Sequence, residues 1–236
     1  MQPEIVLFLC RHGERADSTD PQWILTAKEP RDPPLSFEGG SRFKPRSRGL
    51  LNRSIEGVVA SPLRRTVESA QIAAAILQVP FDIDDGLVEW QNPAWFSGLT
   101  TGNPHRWMKE ALHWSGKRRR CQQLSFPETE QQAKARCFET ARALIAELQR
   151  LLVIGHENGV AGIVSTLTNT RVDHVGVGEV LELTSASGWV TLIGQREMMS
   201  SRRSAMTPVV SQRSKLLCRA RDLVSSMLSF SSSAAT

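Results

Sequence analysis

The sequence of 236 residues predicts an α/β layered sandwich on a mainly parallel sheet. Three observations predict it. Short apolar runs of strand length recur along the chain. Segments with helical spacing lie between them, and strands that alternate with helices build parallel sheets covered on both faces. Polar residues then follow directly on three of the runs: Arg11-His12, Ser61-Pro62 and His156.

The first run, residues 4–10, reads as a buried strand through Ile5-Val6-Leu7-Phe8-Leu9-Cys10 and stops at Arg11-His12-Gly13-Glu14-Arg15. The next is 57–60. Ser61 follows as an N-cap and Pro62 as the first helical residue, opening the four-turn, alanine-rich run "LRRTVESAQIAAAIL". Residues 81–84 are a weaker strand candidate. Residues 128–150 form a helix with Phe138, Ala141, Leu144, Ile145 and Leu148 on one face. Residues 151–155 are a strand, a third helix starts just after His156, and 179–184 and 189–194 are further strands. There is no internal repeat.

Residues 90–127 break the alternation. They hold Trp90, Trp95, Phe96, Trp107, Trp114 and the basic run Lys117-Arg118-Arg119-Arg120, with no clear period. A long irregular segment inside a domain is usually functional or disordered, and so many tryptophans argue against disorder. The segment is read as a lid-like insertion in one domain spanning residues 1–195. The remainder, 196–236, is a basic, Ser-rich, poorly ordered tail. Within it Leu216, Ala220, Leu223, Val224 and Met227 recur at helical spacing among Arg213, Lys215, Arg219 and Arg221. Such a helix suits an anionic membrane or a partner's groove, although its length and its serines weaken it.

Composition bounds the function. Hydrophobic residues make up 40% and charged residues 22%, an ordinary globular balance. No apolar stretch reaches the roughly 18 residues of a membrane span, and no signal-peptide core is present. A cytoplasmic location is expected. Cys10, Cys121, Cys137 and Cys218 show no paired spacing, which suits reduced thiols better than disulfides or a zinc site. The net charge of +5 sits after residue 195, where seven basic residues face two acidic ones. The globular part is neutral, unlike a nucleic-acid-binding body, so no nucleic-acid partner is expected.

Ligands of open α/β sheets bind at the carboxyl ends of strands. Parallel strands bring Arg11 and His12, the helix carrying Arg64 and Arg65, and His156 to one edge. Two histidines, two or three arginines and two helix N-termini describe an anion site, most simply for phosphate. Neighbouring guanidinium groups lower a histidine's pKa, and a neutral imidazole is the nucleophilic form. The same groups clamp phosphate oxygens and stabilise charge in transfer.

The strings "LCRHGERAD", "DPPLSFEGG", "VVASPLRRTVESAQ", "LVEWQNP" and "VIGHENG" together resemble the histidine phosphatase, or phosphoglycerate mutase-like, superfamily. They are most similar to the phosphatase domain of the ubiquitin-associated and SH3-domain proteins and to the ecdysteroid-phosphate phosphatases. The resemblance implies a three-layer fold and assigns His12 as the nucleophile that becomes phosphohistidine. It assigns Arg11 as the first phosphate-binding arginine and Arg65, five residues before Ala70, as the second. His156 is the second histidine and Glu89 of "LVEW" the acid that protonates the leaving oxygen, with Trp90 beside it as a possible apolar wall. It implies no cofactor and no metal, and a small phosphomonoester or a phosphoprotein as substrate; oligomeric state is left open. Two departures stand out. Glu157 follows His156 where the family more often has a small residue, so it must point away from phosphate or pair with an arginine. The helix around 37–52 contains Pro45 and four basic residues.

The expected function is a metal-independent phosphoric monoester hydrolase. A phosphoglycerate or sugar-phosphate mutase or bisphosphatase shares its first half-reaction. The rival from another class is a catalytically weak phosphate-docking signalling protein, against which intact His12, Glu89 and His156 argue.

Overall fold

The computed structural model describes residues 4–108, 111–185 and 190–191. Strands β1 (Val6–Arg11), β2 (Gly57–Ala60), β3 (Phe81–Asp84), β4 (Trp114–Arg119) and β5 (Arg150–Gly155) run parallel. β6 (Val180–Thr184) and β7 (Val190–Thr191) continue the sheet antiparallel, and the spatial order is β4-β3-β2-β5-β1-β6-β7. The helices are α1 (Trp23–Thr26), α2 (Phe37–Arg48), α3 (Arg64–Leu77), α4 (Pro104–Trp107), α5 (Glu130–Ile145) and α6 (Glu157–Thr168).

The layering follows from the strand pleat. Successive side chains of β1 point to opposite faces. Val6, Phe8 and Cys10 join Phe43 of α2 and Val67, Ala70 and Ala74 of α3 in one cluster. Leu7 and Leu9 join Ala141 and Leu144 of α5 and Val160, Ile163 and Val164 of α6 in the other. Both faces are covered, so the central strands read as continuous apolar runs instead of alternating ones. Fully burying each large side chain, Phe8 and Leu9 among them, stabilises the fold by about 1.5–3 kcal/mol.

Two expectations change. Ser61-Pro62 does not start the helix: α3 begins at Arg64, and its N-cap Leu63 makes no side-chain cap bond. Ser61 N–H still donates to Ile154 O at 3.0 Å, so the chain remains on the sheet ladder there. The N–H of Arg64 is capped instead by Asp32 Oδ1, 2.7 Å away and from a distant loop.

The segment 90–127 is not wholly irregular, since it contains α4 and the edge strand β4. Periodicity missed β4 because Gly116 lies at φ +84° and the strand ends in basic residues. Those residues form ion pairs: Lys117 and Arg119 with Glu147, Arg119 also with Asp82, and Arg118 and Arg120 with Asp85. The basic run is thus balanced charge on a sheet edge, a common protection against edge pairing.

Of the run 189–194, only Val190–Thr191 is described, as β7; the 196–236 tail lies outside the described residues. No described helix is long and apolar enough to cross a membrane. Cys10, Cys121 and Cys137 are free thiols.

Candidate active site

Strand register builds the site. Cys10 and Ala60 both pair with Ile154, so the next residues, His12, Ser61 and His156, sit side by side at the carboxyl ends of β1, β2 and β5. His12 N–H donates to Gly155 O at 3.1 Å, extending the ladder by one step. The loop after His12 is then held by α2 and α3. Gly13 N–H donates to Ser69 Oγ, and Ser36, the N-cap of α2, donates its backbone N–H to Glu14 O. Gly39 is required there, because a Cβ on it would lie 2.2 Å from Glu14 O.

Arg65, in the first turn of α3, is the hub and is almost fully buried. Its Nε donates to His12 Nε2 and its Nη2 to His156 Nδ1, both at 3.3 Å. Nη2 also lies 3.6 Å from Glu89 Oε2, and Nη1 lies 3.8 Å from Asp32 Oδ1. Glu89 Oε2 is 3.4 Å from His156 Nδ1. Four of the five predicted residues, His12, Arg65, Glu89 and His156, therefore converge on one guanidinium.

The hydrogen bonds settle the tautomers. Gly13 O can only accept, so His12 Nδ1 carries the proton in their 2.7 Å bond and Nε2 keeps the lone pair. Arg65 can only donate, so His156 Nδ1 accepts and its Nε2–H donates to Ser61 Oγ at 2.7 Å. Both rings are held neutral. Burial lowers the pKa of His12 well below the usual histidine value, and Arg65, Arg11 and Arg15 lower it further against the opposing Gly13 bond. Burial, then Arg65 and His12, do the same for His156. Glu89 moves the other way: burial raises its pKa, although Arg65 and the Trp90 N–H work against it.

The fifth predicted residue, Arg11, stands at the end of β1. Its Nη1 donates to Val175 O and pairs with Glu157 Oε2, both at 2.8 Å. Glu157 thus pairs with an arginine and also contacts exposed His174. Two buried donors, Arg11 Nε and Arg65 Nη1, have no hydrogen-bond partner among the described residues. Leaving a buried donor unmet costs about 1–3 kcal/mol, so two arginine donors without partners suit the oxygens of a bound oxyanion.

Sequence reasoning missed several supporting residues. Ser61 was read as a helix cap and instead orients His156. Buried Asp32 caps α3 and flanks Arg65, and burial pushes its carboxyl up to about 6. Its signal was the string "DPPLS". Arg15, bound through two contacts to Asp17, adds its field to His12, His156 and Glu89. Arg136 left no signal, because a single arginine in a helix reads as a surface cation, although it lies beside Cys137 on the buried face. Its Nη1 donates to Gly86 O and Val88 O, just ahead of Glu89, while Nε and Nη2 grip Glu128 at 2.8 Å each. Glu128 in turn accepts from Gln91 N–H. This buried pair braces Glu89 from both sides in sequence.

Removing one member leaves the other an uncompensated buried charge. Arg136→Leu is expected to cost about 3–5 kcal/mol in chemical denaturation. The double replacement with Glu128→Leu should recover much of that loss. A single-variant loss below about 1 kcal/mol would show that the pair does not hold this region.

The sequence profile of the histidine phosphatase superfamily (branch 1) matches residues 7–195. No curated protein sequence matches the chain. Solved structures of similar shape include the ecdysone phosphate phosphatase from Bombix mori in complex with tungstate. It has a TM-score of 0.62 and 20% identity over 75% of this chain and 88% of that one. A mycobacterial glucosyl-3-phosphoglycerate phosphatase bound to VO3 has a TM-score of 0.54 and 16% identity over 76% and 90%. The phosphoserine phosphatase from Entamoeba histolytica, solved with 3-phosphoglyceric acid, has 0.53 and 14% over 80% and 95%.

Proposed function

We propose that this chain, which belongs to the histidine phosphatase superfamily (branch 1), hydrolyses phosphomonoesters through a phosphohistidine on His12. The carrying observation is the Gly13 contact, which leaves the Nε2 lone pair of a neutral His12 beside Arg65 and His156. Nε2 attacks phosphorus, and the ester P–O bond breaks as Glu89 gives its proton to the leaving oxygen. Arg11, Arg65 and His156 hold the phosphoryl oxygens. Water then attacks phosphorus, returns a proton to Glu89, and the P–N bond breaks to release inorganic phosphate. A mutase would share the first step and pass the phosphoryl group to a second acceptor instead of water.

The segment after Glu89 is assigned to a lid over the leaving group. Trp90 packs edge-on against half-exposed Trp95 at 5.3 Å, and Gln91 ties to Thr100 through both amide atoms. At Gly102, φ +61°, an added Cβ would meet Pro62 O at 2.7 Å and Asp32 Oδ2 at 3.3 Å, so the loop folds back against the site. The side chain of Trp107 lies outside the described residues. Phosphatases of ecdysone phosphate and of glucosyl-3-phosphoglycerate among the structural neighbours support a small phosphorylated molecule as substrate.

One experiment tests the activity and the lid together. The protein is offered p-nitrophenyl phosphate, phosphotyrosine peptides, sugar phosphates and steroid phosphates, and vanadate is then titrated. Release of inorganic phosphate, inhibition by vanadate and a parallel change in tryptophan fluorescence are expected. No phosphate from any ester would overturn the activity. Inhibition with flat fluorescence would remove the lid.

A further inference from the structure

We propose that the site is built for phosphomonoesters of uncharged alcohols, and that Glu157, paired with Arg11, is the residue that turns away a second anionic group on the substrate. The inference rests on the phosphatase reading above and narrows its substrate class.

The observation is the charge balance around the arginines. Arg65 is flanked by Asp32 and Glu89. Arg15 is held by Asp17 through both carboxylate oxygens. Arg11 is held by Glu157. Each site arginine therefore already faces a carboxylate. If Glu89 carries a proton as the acid, three guanidinium groups oppose Asp17, Asp32 and Glu157 before any ligand arrives. One phosphoryl group can still be received, because Arg11 Nε and Arg65 Nη1 are buried donors without hydrogen-bond partners among the described residues. No site arginine is left over to neutralise a further carboxylate or phosphate on the substrate.

Glu157 makes this balance active. It is the first residue of α6, directly after His156, and its carboxylate sits on a phosphate-binding arginine. The opposite arrangement, a basic group at this rim, is what a mutase handling two acidic groups would need. Glu157 is only partly covered, at 32% side-chain exposure, so its repulsion acts through solvent and is open to screening. The groups facing it are Arg11 from β1 and His174 from the segment before β6, and His156 precedes it in the chain.

The test compares glycerol 3-phosphate with 3-phosphoglycerate, which differ at one carbon by a hydroxymethyl and a carboxylate. Repulsion between like charges a few ångströms apart at a partly exposed site is worth about tenfold in selectivity. Wild type is expected to favour glycerol 3-phosphate in kcat/KM by about that factor. E157Q and E157A should each raise the 3-phosphoglycerate to glycerol 3-phosphate ratio by about tenfold. E157Q keeps a hydrogen-bonding group for Arg11 and separates the charge from the contact. Equal use of both esters by wild type, or a ratio within twofold of wild type in both variants, would overturn the proposal. If neither variant folds, wild type decides alone: its preference should shrink as salt is raised, and a preference flat in salt would overturn it. If wild type releases phosphate from neither ester, the wider ester panel above decides the phosphatase reading separately. Calorimetric binding of the same two esters then judges the charge filter, and equal or undetectable affinities would overturn it.

Discussion

Replacing His12 with alanine is expected to abolish turnover, with a loss of about 10⁴- to 10⁶-fold, the range seen when a covalent nucleophile is removed from a preorganised site. The expectation follows from geometry. His12 is buried, its Nδ1–H is fixed on Gly13 O, and its Nε2 lies 3.3 Å from Arg65 Nε. His156 offers no substitute through its Nε2, which carries the proton it donates to Ser61 Oγ. Rapid quenching without acid should trap phosphate on His12 of the wild-type protein and none on the variant. Far-ultraviolet circular dichroism checks that the variant is folded. Turnover near wild type in a folded His12→Ala protein would end the phosphohistidine mechanism.

Glu89→Gln is expected to slow esters with poor leaving groups by roughly 10²- to 10⁴-fold, the usual worth of a general acid. The loss on p-nitrophenyl phosphate should be far smaller, because its leaving group needs little help. Equal losses on both would make Glu89 structural. The pH profile gives a second reading. His12 must be neutral, and burial with three arginines lowers its pKa, so the acid limb lies below the ordinary histidine range. Glu89 must be protonated, and burial raises its pKa, so its acid form persists above the ordinary carboxylate range. Activity on a poor leaving group should therefore fall as pH drops through the His12 value and as it rises through the Glu89 value. In Glu89→Gln the alkaline limb should vanish while the acid limb stays. An alkaline limb that survives the substitution belongs to another group, and buried Asp32, at about 6, is the first to test.

Much of this was legible beforehand. The alternation of apolar runs and helical segments predicted the layered sandwich, because a strand covered on both faces must be apolar at every position. The sites at the ends of β1, β2 and β5 were legible for a related reason. A polar residue placed directly after a buried strand has one geometry open to it, the carboxyl edge of the sheet. Arg11, His12 and His156 follow strands in this way, and Arg65 lies in the helix turn next to one.

The misreadings share the opposite property. Ser61 looked like a cap because capping is the commonest use of Ser before a helix, yet its hydroxyl went to His156, 95 residues away. Asp32 accepts from the first N–H of α3 across 32 residues, and Arg136 braces the carbonyl before Glu89 across 48. β4 joins the sheet through β3 although its own pattern is polar and interrupted. Periods of two and 3.6 residues told on which element ends the polar side chains stand. They left undecided which charges those side chains face. Glu157 beside His156 reads as a threat to phosphate binding until the fold sets Arg11 2.8 Å from it, because ion pairing is decided by distance in space and the chain encodes only order.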